Sequence, residues 1–475
     1  MTLVLPFLIS LPAFAQADYY ANDTLELPTL ATAQVDSDHA VISVNSYGDV
    51  VVVNQATVSG DQKLIEANAL SPNGSSNADG FTLHPIMLLG DPALDVLGAG
   101  ADTCKKPDVE VLGDDSFMVV WSRHDMHVSN QYNSHLEACL ITMRDSNGVL
   151  YSQPLVTSFL PGQGFLIDDL AKSGNSGLMP DIAALGSSDP RKAYVVYAHE
   201  TYYQRRAVNT YSEYDLRCAT IDWNNMPTTS PRFNQAIETI ESYIPFDNLN
   251  AFPYSSGLIL PDVVLDDLGN LVVCFEQFVI APHRLHTGPE KGSIQVRRYQ
   301  PNSAPSPFAA IDSIELLGNR SYRHQRRPMI SSSTADADNT VLIGWSEKDD
   351  DLSVRRRAVF KTLSFSAPGS VQIKTLPWNE TFGDQDELPT TAMSGNVKLA
   401  AASREFPSAN YLFLTYKNAL GGSAMAPADT TVPFPHRSAF VLLDRPNFTF
   451  SYCAFEGDAT NYSLQRRIYL LISRL

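Results

Sequence analysis

Apolar and polar positions recur along this chain in one order. Three stretches open alike: Pro107-Asp108-Val109, Pro180-Asp181-Ile182 and Pro261-Asp262-Val263. Each continues through alternating apolar residues and a short polar turn into a dense β-branched or aromatic run, at 117–121, 193–197 and 271–275. Two further copies have an altered opening: 327–330 leads to 341–345, and 397–399 leads to 411–416. At the front, 40–44 passes through Gly48-Asp49 into 50–53, which makes six copies.

Each copy then offers a third strand, such as 294–299 or 354–360, and four offer a fourth, at 151–161, 234–245, 308–318 and 367–378. In the second of these, Ile237, Thr239 and Ser242 set against Glu238 and Glu241 suit an edge strand better than a helix. Four strands per repeat predict an all-β chain, a six-bladed β-propeller of four-stranded antiparallel blades, with seven blades as the alternative. Trp121 and Trp345 should then hold equivalent positions, packed between neighbouring sheets. Two strand-like runs after Phe448 follow a first copy that is short of strands. A C-terminal strand completing the first blade would remove the exposed sheet edges.

Residues 3–14 form an apolar run too short to span a bilayer, followed by Ala13-Phe14-Ala15, an A-x-A cleavage pattern. The expected organisation is a signal peptide over 1–15, an N-terminal segment over 16–38 and a single propeller domain over 39–475. The expected location is secreted, extracellular or periplasmic. No basic residue precedes the apolar run, so the initial Met is open to being internal. No later segment reads as a membrane span of the mature chain. Hydrophobic residues at 44% and charged ones at 18% are those of a globular protein. A net charge of −18 disfavours nucleic acid and anionic membrane as partners. The five cysteines show neither C-x-x-C nor metal-ligand rhythm. Cys274 and Cys453 read as buried thiols, and Cys104 with Cys139 is a candidate disulfide.

The repeat resembles those of secreted bacterial β-propeller proteins, which run from a Pro-led strand through an f-v-V-v-W strand to D-x-x-G. Trp121-Ser122, Trp345-Ser346 and Asp145-Ser146-Asn147-Gly148 carry that resemblance. It is at the level of fold. The sialidase Asp-box, the WD40 Trp-Asp ending and the kelch Gly-Gly pair are absent, and no enzyme family follows from it.

Within each repeat the first turn is short, as at 113–116 and 266–270. The connections at 122–136, 162–179, 198–215, 276–292 and 417–437 are long. Long connections on one side of a propeller mark a binding face. The candidate ligand-binding residues on that face are Asp125, His199, Glu200, Glu276, Arg327 and Glu347. Glu200, Glu276 and Glu347 should follow equivalent strands, and repulsion between them should raise at least one pKa. Arg326-Arg327, standing where other repeats have Pro-Asp, suits a carboxylate or an acidic sugar. Asp108, Asp181 and Asp262 read first as turn caps that accept backbone N–H groups. Alternatively, such acids hold a hard cation such as Ca²⁺ or pair for glycosidic cleavage. His124, His127, His135 and His199 read as solvated loop residues, and no cofactor or resident metal is expected. The favoured reading is an exported, non-catalytic propeller that binds a glycan or an extracellular surface protein. The alternative is a carbohydrate-active hydrolase or lyase using carboxylates of the loop face.

Overall fold

The computed structural model describes residues 18–20, 24–30, 37–59, 62–72, 80–94, 102–125, 134–170, 179–186, 189–206, 209–227, 230–233, 236–242, 255–280, 291–302, 307–316, 325–333, 339–348, 356–367, 370–375, 386–394, 397–405, 410–417, 423–427, 435–445, 448–458 and 466–474. The expected signal peptide lies outside them.

The described chain is all-β apart from single turns of 3-10 character. Strands β1 (Asp18–Tyr20) and β2 (Thr24–Glu26) precede a first group, β3 (Ser37–Val44), β4 (Val50–Ser59), β5 (Gln62–Pro72), β6 (Gly80–Leu83) and β7 (Met87–Gly90). The second group is β8 (Asp102–Val111), β9 (Phe117–Asp125), β10 (Ser134–Arg144), β11 (Leu150–Thr157) and β12 (Phe165–Leu170). Next come β13 (Asp181–Ala184), β14 (Lys192–Arg206), β15 (Asn209–Asp222) and β16 (Ile237–Glu241), then β17 (Ser255–Leu265), β18 (Leu271–Ile280), β19 (Lys291–Pro301) and β20 (Phe308–Leu316). The fifth group is β21 (Gln325–Ser332), β22 (Thr340–Lys348), β23 (Arg356–Ala367) and β24 (Ser370–Thr375). The last two are β25 (Asp386–Ser394), β26 (Val397–Glu405), β27 (Asn410–Lys417) and β28 (Ser423–Pro427), and β29 (Pro435–Arg445), β30 (Phe448–Asp458) and β31 (Arg466–Arg474).

Within each group the strands pair antiparallel in chain order, except that β7 returns to β5 and β12 to β10, and a short parallel pairing of β15 with β17 joins two groups into one sheet. Among the described residues the first strands form a closed circuit. β3, β8, β13, β17, β21, β25 and β29 each touch the next, and β29 touches β3.

Three sequence expectations change here. Residues 397–399, read as a first strand, begin the second strand of their group, because β25 precedes them. Closure runs the other way: N-terminal β2 pairs with C-terminal β31, Leu25 opposite Leu470, and β31 gains its missing neighbour. The connection read over 198–215 is mostly a hairpin whose arms, β14 of 15 residues and β15 of 14, leave only 207–208 between them.

The second strands explain the packing. Val50 to Val53 are all 0% exposed, as are Phe117 to Trp121 and Leu271 to Phe275. Such strands are covered on both faces, so the polar-out alternation disappears and the run is continuously apolar. Side-chain alternation then splits each strand between two interfaces. Val51 and Val53 pack with Phe117, Val119 and Trp121, whereas Val50 and Val52 pack with Tyr452 and Ala454. Met118 and Val120 join Val195 and Tyr197, and Tyr194 and Val196 join Val273 and Phe275. Val272 and Cys274 continue the series against Ile343 and Trp345. Trp121 and Trp345 are register-equivalent, each one residue past the position opposite Asp108 or Met329, and each faces the preceding group. All five cysteines are buried and free, so Cys104 and Cys139 form no disulfide.

The first turns also stitch neighbours together. Asp115, in the left-handed region at φ 62°, accepts the Ser46 N–H at 2.8 Å, and Asn339 at φ 46° accepts the Asp267 N–H at 3.0 Å. Asp49 takes a two-pronged bond from Arg144, at 2.6 and 2.7 Å.

Two outcomes follow from this packing. Deleting residues 18–30 leaves the β31 edge unpaired, so the melting temperature should fall and light scattering should show association. An unchanged melt and a monodisperse sample would show that β2 contributes nothing to closure. A Cβ at Gly113 would stand 2.2 Å from the Gly186 carbonyl oxygen. Gly113→Ala should therefore cost about 1–3 kcal/mol in denaturant unfolding.

Candidate functional site

The chemistry begins with a backbone irregularity. Pairing of the first and second strands slips between Asp38 and Val41, Lys105 and Asp108, Ile259 and Asp262, and Arg326 and Met329. At each slip one non-glycine residue is left-handed: His39 (φ 59°), Lys106 (φ 53°), Leu260 (φ 52°) and Arg327 (φ 54°). A bulge of this kind takes an amide out of its own ladder. Three of these amides find acceptors on the preceding group. Lys106 N donates to Gln55 Oε1 at 2.8 Å, Arg327 N to Glu276 Oε2 at 3.3 Å, and His39 N to Glu456 Oε1 at 2.7 Å.

The Pro-Asp acids, Asp108 and Asp262 just past a bulge and Asp181 at the start of β13, form a second set of bridges. Asp108 Oδ2 accepts the Ile182 N–H at 2.9 Å, Asp181 Oδ2 accepts that of Val263, and Asp262 Oδ2 accepts that of Ile330 at 3.0 Å. Of the expected turn caps only the acceptance of a backbone N–H is met: the amide lies on the next group and not in the acid's own turn. The three carboxyls also bond in series, Asp108 to Asp181 and Asp181 to Asp262.

All of these acids are harder to ionise than usual, and burial among the inner strands is the first cause in each case. Asp262 is pushed up to about 7. Burial, with the charges of Asp262 and Asp108 added, raises Asp181 well above the carboxylate range. Burial, with the charges of Asp108 and Asp262 added, pushes Glu110 up to about 8. Nothing in the sequence singled out Glu110 beyond its place two residues after Asp108.

Of the six candidate residues, Glu276 and Arg327 meet, through the Arg327 N–H. Asp125 ends β9, and its side chain, like that of Glu200, lies outside the described ones. His199 is half-buried on β14, opposite Asp215. Glu276 is 3% exposed and caps the Arg327 bulge, while the Arg327 side chain is exposed. Glu347 is 1% exposed beside Lys361, whose ammonium sits 5.5 Å over the Trp345 ring. Register decides the matter. Val196, Cys274 and Gly344 face Asp181, Asp262 and Met329, so Glu200, Glu276 and Glu347 fall four, two and three residues further on. The three glutamates are thus not equivalent, and alternation sends Glu276 and Glu347 to opposite faces of their sheets.

No protein family model and no curated protein matches this chain. It is similar in structure to a protein of unknown function from Dyadobacter fermentans DSM 18053, at 10% identity and a TM-score of 0.41 over 97% of this chain and 99% of that one. A thermostable family-43 glycoside hydrolase aligns at 12% identity and a TM-score of 0.35, over 75% of this chain and 99% of that one. The alpha-L-arabinanase of Cellvibrio cellulosa aligns at 10% and 0.35, over 72% and 96%. Likeness at this level bears on neither substrate nor mechanism.

The histidines correct the sequence reading. His124 and His135 are 6% and 0% exposed, in strands rather than solvated loops, and His127 lies outside the described residues. Ser122 and Ser134 hold the His124 ring at 3.0 and 2.8 Å, and burial lowers its pKa to about 3. Glu137 bonds Arg123 at 2.8 Å and His135 at 3.1 Å. Burial alone would raise Glu137, but bonds and charges from His135 and Arg123 outweigh it and hold the carboxyl below its usual range. Of the Arg pairs, Arg298 is buried against Asp266 and Asp312, while Arg297 reaches Glu241. Among the described residues no group of three or more His, Cys, Asp or Glu is arranged to hold a metal ion.

The aspartate row makes a signed prediction. A carboxyl whose folded pKa lies above its ordinary value contributes stability below about pH 4, and loses it as pH rises through the folded value, near 7 for Asp262. His124, held neutral, acts in the opposite direction as pH falls. The test is therefore the difference between two proteins. Asp262→Asn keeps an acceptor for Ile330 N and should gain stability over wild type at pH 8 relative to pH 5. Parallel melting profiles across that range would refute shared protonation of the row.

Proposed function

We propose that this chain is an exported, non-catalytic, seven-bladed propeller that binds a glycan or a surface protein through the face carrying its long connections. The observation behind this reading is the employment of its acids. Asp108, Asp181 and Asp262 each accept a backbone N–H of the next group, and Glu276 and Glu456 cap bulges. A glycosidic acid–nucleophile pair stands about 5–5.5 Å apart, and an inverting pair wider still. Carboxyls already committed to backbone amides of the next group are poorly suited to either arrangement. The circuit of first strands closed by β29 on β3 supports the alternative of seven blades over six. The β14–β15 hairpin, whose arms stay paired as far as Arg206 opposite Asn209, supports a contact element at its tip.

A second reading is favoured by the raised pKa of Asp181 and Asp262: proton sharing between paired acids is also how some hydrolases activate water. One experiment separates the two. The chain is screened on a glycan array with and without chelator, beside a variant in which Asn-Gly replaces residues 203–212. Binding should weaken at least about tenfold in that variant with an unchanged melt, while Asp181→Asn binds like wild type. Cleavage of an array glycan that disappears in Asp181→Asn would replace binding with hydrolysis.

A further inference from the structure

The ring closes across a cavity. Between the β2–β31 pairing and the first group lies a space of about 180 Å³ lined by Glu26, Thr29, Ser37, Asn54, Glu66 and Arg467. One wall is the segment after β2, which the first group holds in place. Glu66 accepts Leu30 N at 2.8 Å and Asn54 Nδ2 at 2.9 Å, and Asn68 Nδ2 donates to Pro28 O at 3.1 Å.

Two atoms in the lining lack what their surroundings should supply. Asn54 Oδ1 and Ser37 Oγ are buried without a hydrogen-bond partner, in side chains 1% and 2% exposed. Buried acceptors left unmatched in a native fold call for a donor. The charge balance points the same way. Arg467 pairs with Glu26, both of them roughly half-exposed, and no cation bonds Glu66 among the described residues. The lining therefore carries one net negative charge and two orphan acceptors. A cavity of about 150 Å³ takes a ligand the size of benzene, so roughly six heavy atoms fit here.

We propose that this seam cavity binds a small primary ammonium compound, its N–H groups donating to Asn54 Oδ1, Ser37 Oγ and the Glu66 carboxylate. A hard metal ion wants six or more oxygens free of other bonds, whereas both Glu66 oxygens already accept hydrogen bonds. A neutral polyol would satisfy the orphan oxygens and leave the charge unmatched. Burial pushes the Glu66 carboxyl up, and an ammonium beside it favours the ionised form. Because one wall belongs to the first group and the other to the closing strands, the ligand ties the two ends of the chain together. The lining shares no residue with the loop-face candidates, and its test does not depend on the reading given above.

Ethanolamine is the probe, with glycerol and calcium chloride beside it at matched ionic strength, on the folded mature chain. Ethanolamine should raise the melting temperature and slow hydrogen exchange over residues 24–30, by binding the closed state alone. Glu66→Gln keeps the shape of the wall and removes its charge, and should weaken ethanolamine about tenfold or more. Ser37→Ala removes one orphan oxygen and should weaken it less. Three results overturn the proposal: no ethanolamine effect on folded wild type, an equal effect of glycerol or a larger one of calcium, or an undiminished response in both variants.

Discussion

Everything in this fold depends on burying second strands such as β4, β9, β18 and β22 on both faces. A strand such as Val50 to Val53, with no exposed side, cannot be stable in an isolated sheet. It needs a sheet on its left for Val50 and Val52 and another on its right for Val51 and Val53. That requirement passes from group to group and is met at the ends only when the last sheet packs on the first. Closure is thus a consequence of parity in the second strands. The β2–β31 pairing completes it by covering an otherwise open edge.

Close packing of inner strands creates a problem of its own, because backbone amides at the bulges turn away from their ladders. Side chains of the neighbouring group meet that need: Gln55, Glu276 and Glu456 at the bulge, and Asp108, Asp181 and Asp262 just beyond it. These bonds resist sliding and rotation between groups, which apolar contact alone resists poorly. The cost appears as carboxyls pushed above their ordinary range by desolvation among the inner strands. Acids that look catalytic in a sequence are in this way recruited as struts.

The Glu200, Glu276 and Glu347 set shows where sequence reasoning reached its limit. All three follow an apolar run, and the run is visible because its period is local. Whether two such residues are equivalent depends on the residue opposite, and that is fixed by bulges between strands. A slip of one position exchanges the faces. Likewise, His124 and His135 look like loop residues because polar neighbours surround them in sequence. Ser122, Ser134, Arg123 and Glu137, which bury and satisfy them, come together only when β9 and β10 pair.

By itself the sequence determined the all-β class, the four-strand grouping of its clearest repeats, the dense apolar runs of the second strands and the Pro-Asp acids as acceptors of backbone N–H groups. These follow from alternation, turn residues and hydrophobic content over a dozen or so neighbouring positions, where the physics is local. Tertiary structure alone decided which amide each acid caps, the direction of closure and the charge state of the inner acids. Arg327 meets Glu276 from 51 residues away, and His39 meets Glu456 from 417. Only the three-dimensional ring brings such positions together, and only the desolvation inside it moves their protons.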